Sequence, residues 1–267
     1  TLVLGTSPIA VRFAERALAR GVRIVGMVEP SDRVQAGPAA AAHLAALGIA
    51  VHFGAVIEAA LGKTGVAGAR IVSLADGAVE VACDTICTAI GTLPNIELAA
   101  AMGCALHFDT GLGAWVPQVD TSGATSLAGV TWLSAFGAGD KVQAALAAIK
   151  GQQIPPQPAP GPATQGDYLR LWVQSLLETG GGNVTLCQCE SVTRDAFLSF
   201  QPPAYLNAGL RHPQTPVSGA QPLVHQDQMK RLTRVGMGHC QGRRCRDEAA
   251  LLISLRFGLP VAEVQPG

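Results

Sequence analysis

Four cysteines near the C-terminus are the residues best suited to chemistry in this chain. Cys187 and Cys189 lie two residues apart in the run Leu-Cys-Gln-Cys-Glu, and Cys240 and Cys245 lie five apart in Gly-His-Cys-Gln-Gly-Arg-Arg-Cys. Close pairs of thiols that are distant from each other in sequence suit a metal centre better than a packed core, and this spacing favours a [2Fe-2S] cluster. The pattern therefore predicts a carrier of electrons.

The two cysteine pairs require different backbones. In an extended segment the side chains of residues i and i+2 point the same way, so we expect Cys187 and Cys189 to present both sulfurs to one iron. Cys240 and Cys245 would diverge on a helix and need a loop, for which glycines at 236, 238 and 242 provide the freedom. We predict a helix after each pair, over 194–199 and over 246–257, whose first amides would favour a negative cluster.

Basic residues surround the second pair. Six cations and no acid lie within 230–246: Lys230, Arg231, Arg234, Arg243, Arg244 and Arg246. Such cations would offset the negative charge of a thiolate-ligated cluster and raise its potential. A solvated basic face is the simpler alternative. A nucleic-acid partner is not expected, because this stretch has no aromatic residue on which a base could stack.

Zinc is the competing metal, although a Cys-x-Cys pair combined with Cys-x4-Cys is unusual among structural zinc sites. The odd count of seven cysteines argues against a disulfide framework. The other three, Cys83, Cys87 and Cys104, stand in apolar surroundings and are interpreted as small core residues.

The N-terminus has the pattern of a dinucleotide-binding βαβ unit. A short apolar strand leads to Gly5, Ser7 and Ala10 at the three glycine positions of the fingerprint, and a second strand over 22–28 ends at Glu29, the position of the ribose-binding acid. Serine at the second position adds a side chain where a pyrophosphate needs close approach. Two interpretations stay open: a site for an adenine nucleotide, and a βαβ unit that has kept only its packing.

Further elements extend the α/β pattern. We predict a helix over 38–47, a strand over 49–53, paired strands over 69–81 around Asp76-Gly77 and a buried strand over 84–91. Residues 151–166 hold five prolines and no charge, which predicts a linker, and a helix over 167–178 follows.

Composition sets the broad class. With 267 residues, 48% hydrophobic and 14% charged, the chain can bury a substantial core, and its net charge of zero provides no general attraction to a polyanion or a membrane surface. No membrane span or signal peptide is expected, which predicts a cytoplasmic protein.

Two segments resemble flavoprotein disulfide reductases. The strand that ends in Gly91-Thr-Leu-Pro-Asn95 resembles the return from the NAD domain to the FAD domain, and 120–140 resembles the second FAD motif, with Gly139 and Asp140 at its end. The resemblance implies FAD binding by Asp140, which could equally cap the next helix. The segment that binds the ADP half of FAD does not precede Thr1, so the chain looks like the later part of a longer polypeptide and FAD binding would need residues outside it.

The cysteine runs 187–193 and 230–245 resemble the bacterioferritin-associated-ferredoxin-like [2Fe-2S] domain that ends the FAD-containing subunit of opine oxidases, hydrogen cyanide synthase and multi-subunit proline or hydroxyproline dehydrogenases. The connection over about 202–226 looks longer than in that family. The resemblance implies a hetero-oligomer with an amino-acid-oxidase-type flavoprotein subunit that oxidises the amine, and it allows a small additional ferredoxin-like subunit. Two other functions remain open, an NAD(P)H-dependent reductase and a non-catalytic assembly subunit with a structural metal.

The predicted architecture is therefore α/β, a partial two-dinucleotide-binding-domain flavoprotein with a small, mainly helical [2Fe-2S] domain. We expect an NAD(P)-like Rossmann domain over 1–83, the second part of an FAD domain over 84–150, the linker over 151–166 and the cluster domain over 167–267.

Overall fold

A parallel sheet forms the N-terminal part of the computed structural model, which describes residues 1–73, 75, 77–120, 123–132, 164–203, 205–206 and 225–264. Its strands are β1 (Leu2–Leu4), β2 (Gly26–Glu29), β3 (Val51–Phe53) and β7 (Ile86–Thr88), in the order β3-β2-β1-β7. Helices α1 (Pro8–Leu18) and α2 (Pro38–Ala46) connect β1 to β2 and β2 to β3. This arrangement confirms the predicted α/β class with a Rossmann-like unit.

Strand lengths in this sheet are limited by its first strand. β1 has three residues, and Leu2 pairs with Gly26 on one side and with Ile86 on the other. The strand predicted over 22–28 therefore begins only at Gly26, and the one predicted over 84–91 shortens to three residues. β7 is also less buried than predicted, because it lies at the edge of the sheet.

An antiparallel sheet is inserted before β7. It consists of β4 (Ala55–Leu61), β5 (Gly68–Ser73) and β6 (Gly77–Ala82), with β5 in the centre. The paired strands predicted over 69–81 are confirmed, although Asp76 of their turn lies outside the described residues. β4 was not predicted. A short helix α3 (Glu97–Ala101) and a hairpin of β8 (Leu106–Asp109) and β9 (Ala114–Pro117) follow β7.

The C-terminal part contains mainly helices. These are α4 (Gln165–Glu178), α5 (Arg194–Leu198), α6 (Gln226–Thr233) and α7 (Arg246–Phe257), with a small hairpin of β10 (Thr185–Cys187) and β11 (Val192–Thr193). Thr193 caps α5 and Gly258 ends α7 with a φ of +66°, as predicted. A buried cluster around Phe197, Leu252 and Ile253 forms the core of this part.

Helix α4 packs against both parts of the molecule. Tyr168 and Trp172 lie in the core that β1, β2 and the antiparallel sheet share, whereas Val173 belongs to the C-terminal core. The helix begins at Gln165, two residues earlier than predicted, because the Thr164 side chain caps it by accepting a hydrogen bond from the Asp167 amide. The predicted linker therefore ends sooner, and its residues 151–163 lie outside the described part of the chain.

The N-terminus of α4 is fixed to two loops. The Gln165 side chain donates hydrogen bonds to the carbonyls of Thr92 and Leu112 at 2.8 and 3.1 Å. Gly166 lies so close to Gly113, in the β8–β9 turn, that a Cβ on either residue would overlap the other. In the described residues, no helix has the length and apolar character needed to cross a membrane.

Candidate functional site: a cleft lined by four thiols

The four predicted cysteine ligands line one cleft of about 180 Å³ in the C-terminal part. Cys187 ends β10 and Cys245 precedes α7, and both side chains are almost fully buried. Cys189 and Cys240 stand nearer the surface and are only half-buried. The structure thus brings together two pairs of thiols that are about fifty residues apart in sequence.

The four thiols lie close enough to shift one another's pKa. Burial, followed by the neighbouring Cys187, raises the pKa of Cys245 to about 12. The pKa of Cys240 is lowered, chiefly by its interaction with Cys189 and also by the amides of Arg244 and Gly242. The more acidic thiol of these two is therefore the one nearer the surface.

Cys187 and Cys189 differ in backbone and in burial. The extended segment ends at Cys187, and Cys189 lies in the turn between β10 and β11. Cys187 is almost fully buried, whereas Cys189 is half-buried. The extended backbone expected through both cysteines therefore ends at the first one, and the presentation of both sulfurs to one iron stays a prediction.

A glycine-containing loop presents the second pair, as predicted. Gly236 and Gly242 have φ values of +84° and +79°, in the left-handed region that glycine adopts without strain. Gly238 is required for a different reason, because a Cβ at this position would overlap the Cys189 Cβ. The loop therefore contacts the first cysteine pair through a residue that has no side chain.

Two further polar side chains stand beside the outer thiols. The Nε2 atom of His239 lies 3.7 Å from the Cys189 sulfur, a contact that sequence reasoning missed although His239 adjoins Cys240. Arg244 lines the cleft and donates a hydrogen bond to the Gln188 side chain at 3.2 Å. Both side chains can donate hydrogen bonds to the thiols or to a group that the thiols hold, and the guanidinium of Arg244 also places a positive charge beside them.

Four of the other five cations of the basic stretch form ion pairs with acids outside it, two of which directly flank the stretch. Their ion pairs are Lys230 with Asp227 at 3.3 Å, Arg234 with Glu190 at 2.8 Å, Arg243 with Glu97 at 3.4 Å and Arg246 with Asp247 at 3.7 Å. Acids that lie outside residues 230–246 thus neutralise the charge of this basic stretch in the folded protein. Of the six cations, Arg244 is the one that lines the thiol cleft.

Glu190 anchors the first cysteine turn to the loop that precedes the second pair. Its buried carboxylate accepts hydrogen bonds from Arg234 and from the Tyr205 hydroxyl. The hydrogen bond from Arg234 is the main reason why the pKa of Glu190 lies below its usual range. A lowered folded pKa means that the ionised carboxylate stabilises the fold above about pH 4.5, and that this contribution is lost as the pH falls through the folded value.

We expect Glu190→Gln to lower the Tm by about 2–4 °C at pH 7, because Arg234 would lose its charged partner. The difference from wild type should shrink as the pH is lowered below about 4.5. Thermal unfolding followed by circular dichroism from pH 3.5 to 7 measures both effects. Glu58→Gln is the control, since its contact with Arg70 is long and half-exposed and its loss should leave the Tm unchanged. Equal Tm values for Glu190→Gln and wild type at pH 7 would contradict the expectation.

Within the described residues, no group of three or more His, Cys, Asp or Glu side chains is arranged to hold a metal ion. The four thiols nevertheless line one cleft. Four cysteine thiolates are the donor set of a [2Fe-2S] cluster, so the residue types present fit that group.

The three fingerprint positions of the βαβ unit serve internal packing. Gly5 has a φ of +101°, and a Cβ there would lie 2.9 Å from the Ala89 carbonyl oxygen. Ser7 caps α1 by accepting a hydrogen bond from the Ala10 amide and donates one to the Ala89 carbonyl at 3.0 Å. Ala10 is fully buried in the core beneath the helix.

Glu29, the expected ribose-binding acid, is fully buried. Its Oε2 atom accepts hydrogen bonds from the hydroxyls of Thr6 and Tyr168 at 2.5 and 2.6 Å, and its Oε1 atom accepts one from the Ser31 amide at 3.0 Å. The other two expected cofactor residues, Gly139 and Asp140, lie outside the described residues.

The N-terminal part identifies the family of the chain, which is one of flavoprotein oxidoreductases. The model of the pyridine nucleotide-disulphide oxidoreductase family matches residues 1–151, and the chain belongs to this family. Its members bind FAD and a nicotinamide nucleotide.

Two solved structures are similar in fold. L-proline dehydrogenase from P. horikoshii is 18% identical with a TM-score of 0.51, over 90% of this chain and 46% of that one. Thioredoxin reductase from T. acidophilum is 18% identical with a TM-score of 0.44, over 66% of this chain and 52% of that one. The chain thus spans about half the length of each. No curated protein matches it.

Proposed function

We propose that this chain is the electron-transfer subunit of a hetero-oligomeric, FAD-dependent amine or amino-acid dehydrogenase or oxidase, and that its thiol cleft holds a [2Fe-2S] cluster. The observation that carries the proposal is the convergence of Cys187, Cys189, Cys240 and Cys245 on one cleft. A cluster there supplies one-electron transfer at a potential that its surroundings set. Membership of a flavoprotein oxidoreductase family supports the redox role.

The surroundings of the thiols suit a buried negative group. Arg244 would offset part of the charge of a thiolate-ligated cluster, and His239 would donate a hydrogen bond to the Cys189 sulfur. Because Gly238 has no side chain, it leaves room for the side chain of Cys189. The inner pair, Cys187 and Cys245, is shielded from water, whereas the outer pair faces the surface, where a redox partner can approach.

Substrate oxidation belongs to a second subunit in this proposal. The partner is a flavoprotein of the amino-acid-oxidase type, with opines, proline, hydroxyproline or glycine as candidate substrates, and a small ferredoxin-like subunit is a further candidate component. The fold likeness to L-proline dehydrogenase makes proline the first substrate to assay. FAD binding would use the 120–140 segment.

Metal analysis of anaerobically prepared protein tests the proposal. We expect two irons per chain and, after reduction with dithionite, an electron-paramagnetic-resonance signal of a [2Fe-2S] cluster. Cys189→Ser should reduce the iron content at least fivefold, because serine is a poor ligand for this cluster. Cys87→Ser is the matched control, a half-buried cysteine far from the cleft whose replacement should leave the iron content unchanged.

Other outcomes would overturn the proposal. Protein with stoichiometric zinc and no iron would make the cleft a structural metal site. Iron that Cys189→Ser retains in full would place the cluster elsewhere.

An NAD(P)H-dependent reductase is the second candidate, which the family assignment favours. In that case NADH or NADPH would reduce the FAD-loaded protein without any partner subunit. The burial of Glu29 counts against it. A stopped-flow measurement of flavin absorbance at 450 nm after addition of NADH distinguishes the two candidates.

A further inference from the structure

The nucleotide end of the βαβ unit is occupied by a side chain of the same protein. In a dinucleotide-binding βαβ unit the pyrophosphate lies at the first turn of the first helix, and the acid at the end of the second strand binds the ribose. Here the Tyr168 hydroxyl stands between these two points. It accepts a hydrogen bond from the Thr6 amide at 3.0 Å and donates one to Glu29 at 2.6 Å.

The contact engages the acid of this site. The Glu29 carboxylate has three donors, the hydroxyls of Thr6 and Tyr168 and the Ser31 amide, which together compensate its burial. The Thr6 hydroxyl also accepts a hydrogen bond from the Gln35 amide at 2.9 Å. A ribose could reach Glu29 only by displacing the tyrosine.

The rings of Tyr168 and Trp172 shield the nucleotide end of the βαβ unit from solvent. Tyr168 and Trp172 are 4% and 2% exposed, and their rings pack edge to face with centroids 6.4 Å apart. Burial, together with the charge of Glu29, raises the pKa of Tyr168, so its hydroxyl keeps its proton and remains a donor to the carboxylate. Opening the site would expose both rings and leave a buried carboxylate short of one donor.

The helix that carries Tyr168 also belongs to the module with the cysteines. Val173 of α4 lies in the core that contains Cys187 and Cys245, and the Arg170 side chain donates a hydrogen bond to Ser254 of α7. The helix that carries Tyr168 is therefore also part of the core beside the thiol cleft.

We propose that the dinucleotide site of this chain is an intrachain docking site, in which Tyr168 of α4 takes the place of a nucleotide and fixes the cysteine module to the Rossmann unit. The site then binds neither NAD(H) nor an adenine nucleotide. Its acid and the Thr6 amide position a protein module instead. This inference holds whether or not the cleft carries a cluster.

Equilibrium dialysis and hydrogen exchange test this docking site. With wild-type protein, we expect no binding of NADH or ADP at 1 mM, and no change with either nucleotide in the exchange of the Thr6 amide or of peptides from α4. In Tyr168→Phe, which keeps the ring and removes the hydroxyl, the Thr6 amide should exchange at least tenfold faster because it loses its acceptor.

Tyr205→Phe is the matched control, because the chain has two tyrosines and each donates its hydroxyl hydrogen to a carboxylate. It should leave the exchange of Thr6 and α4 unchanged. Binding of NADH or ADP to wild-type protein with a Kd below 0.1 mM would overturn the inference, as would a Thr6 amide that exchanges equally in Tyr168→Phe and wild type.

Discussion

Trp172→Ala is expected to destabilise the protein by about 3–5 kcal/mol, the usual loss when a large buried aromatic side chain is truncated in a core. Trp172 is 2% exposed and packs in the core between α4 and the N-terminal sheets. Its removal leaves a cavity at the contact that fixes α4 to the Rossmann unit. Chemical denaturation followed by far-UV circular dichroism measures the loss, and we expect the two parts of the molecule to unfold in separate transitions.

Two other variants sharpen this test. Trp115→Ala removes a less buried tryptophan, whose ring packs edge to face with Phe108 at a centroid distance of 5.8 Å. We expect it to lower the free energy of unfolding by only about 1 kcal/mol. Trp172→Phe should lose less than half as much as Trp172→Ala, because the indole Nε1 has no hydrogen-bond partner among the described residues and no such bond is broken. A loss below about 1 kcal/mol for Trp172→Ala would show that α4 is not held in this core.

Gly238→Ala is expected to deprive the thiol cleft of the proposed cluster and to destabilise the C-terminal part by about 1–3 kcal/mol, the range for overpacked sites. The added methyl group would overlap the Cys189 Cβ, so either the loop or the cysteine turn must move. Either movement separates Cys189 from Cys240. Iron content and the amplitude of the visible absorption per chain measure the effect.

Gly65→Ala is the control for Gly238→Ala. Neither glycine has a positive φ, and a Cβ on Gly65 would meet no atom within 4 Å. The two variants therefore share the same change in backbone entropy and differ in the contact alone. Full iron content in Gly238→Ala, with wild-type stability, would contradict the close approach of the loop to Cys189.

The cysteine module shows how far local sequence patterns predict a site. The loop that carries Cys240 and Cys245 follows from residue spacing and from glycines, which act locally, and the cap at Thr193 and the helix stop at Gly258 are equally local. The contact of His239 with Cys189 was not predictable, because it joins residues that are fifty positions apart. The neutralisation of the basic stretch was missed for a related reason, since Glu97 and Glu190 approach it only in the fold.

The βαβ unit shows the opposite limit. Its strands, helices and the Gly5 turn follow from an apolar pattern and a fingerprint. The burial of Glu29, in contrast, depends on its hydrogen bond with Tyr168. Nothing near Tyr168 in the sequence points to the first strand. A buried carboxylate at the end of a strand and a tyrosine in an amphipathic helix are each ordinary features, and only tertiary packing connects them.

The distance along the chain between these two residues also has a consequence during synthesis. Glu29 and Tyr168 are 139 residues apart. At translation rates of about 5–20 residues per second, roughly 7–28 s pass between the emergence of one residue and the other. During that time Glu29 of the nascent Rossmann unit lacks the donor that Tyr168 provides, so this unit gains its full stability only after α4 has emerged from the ribosome.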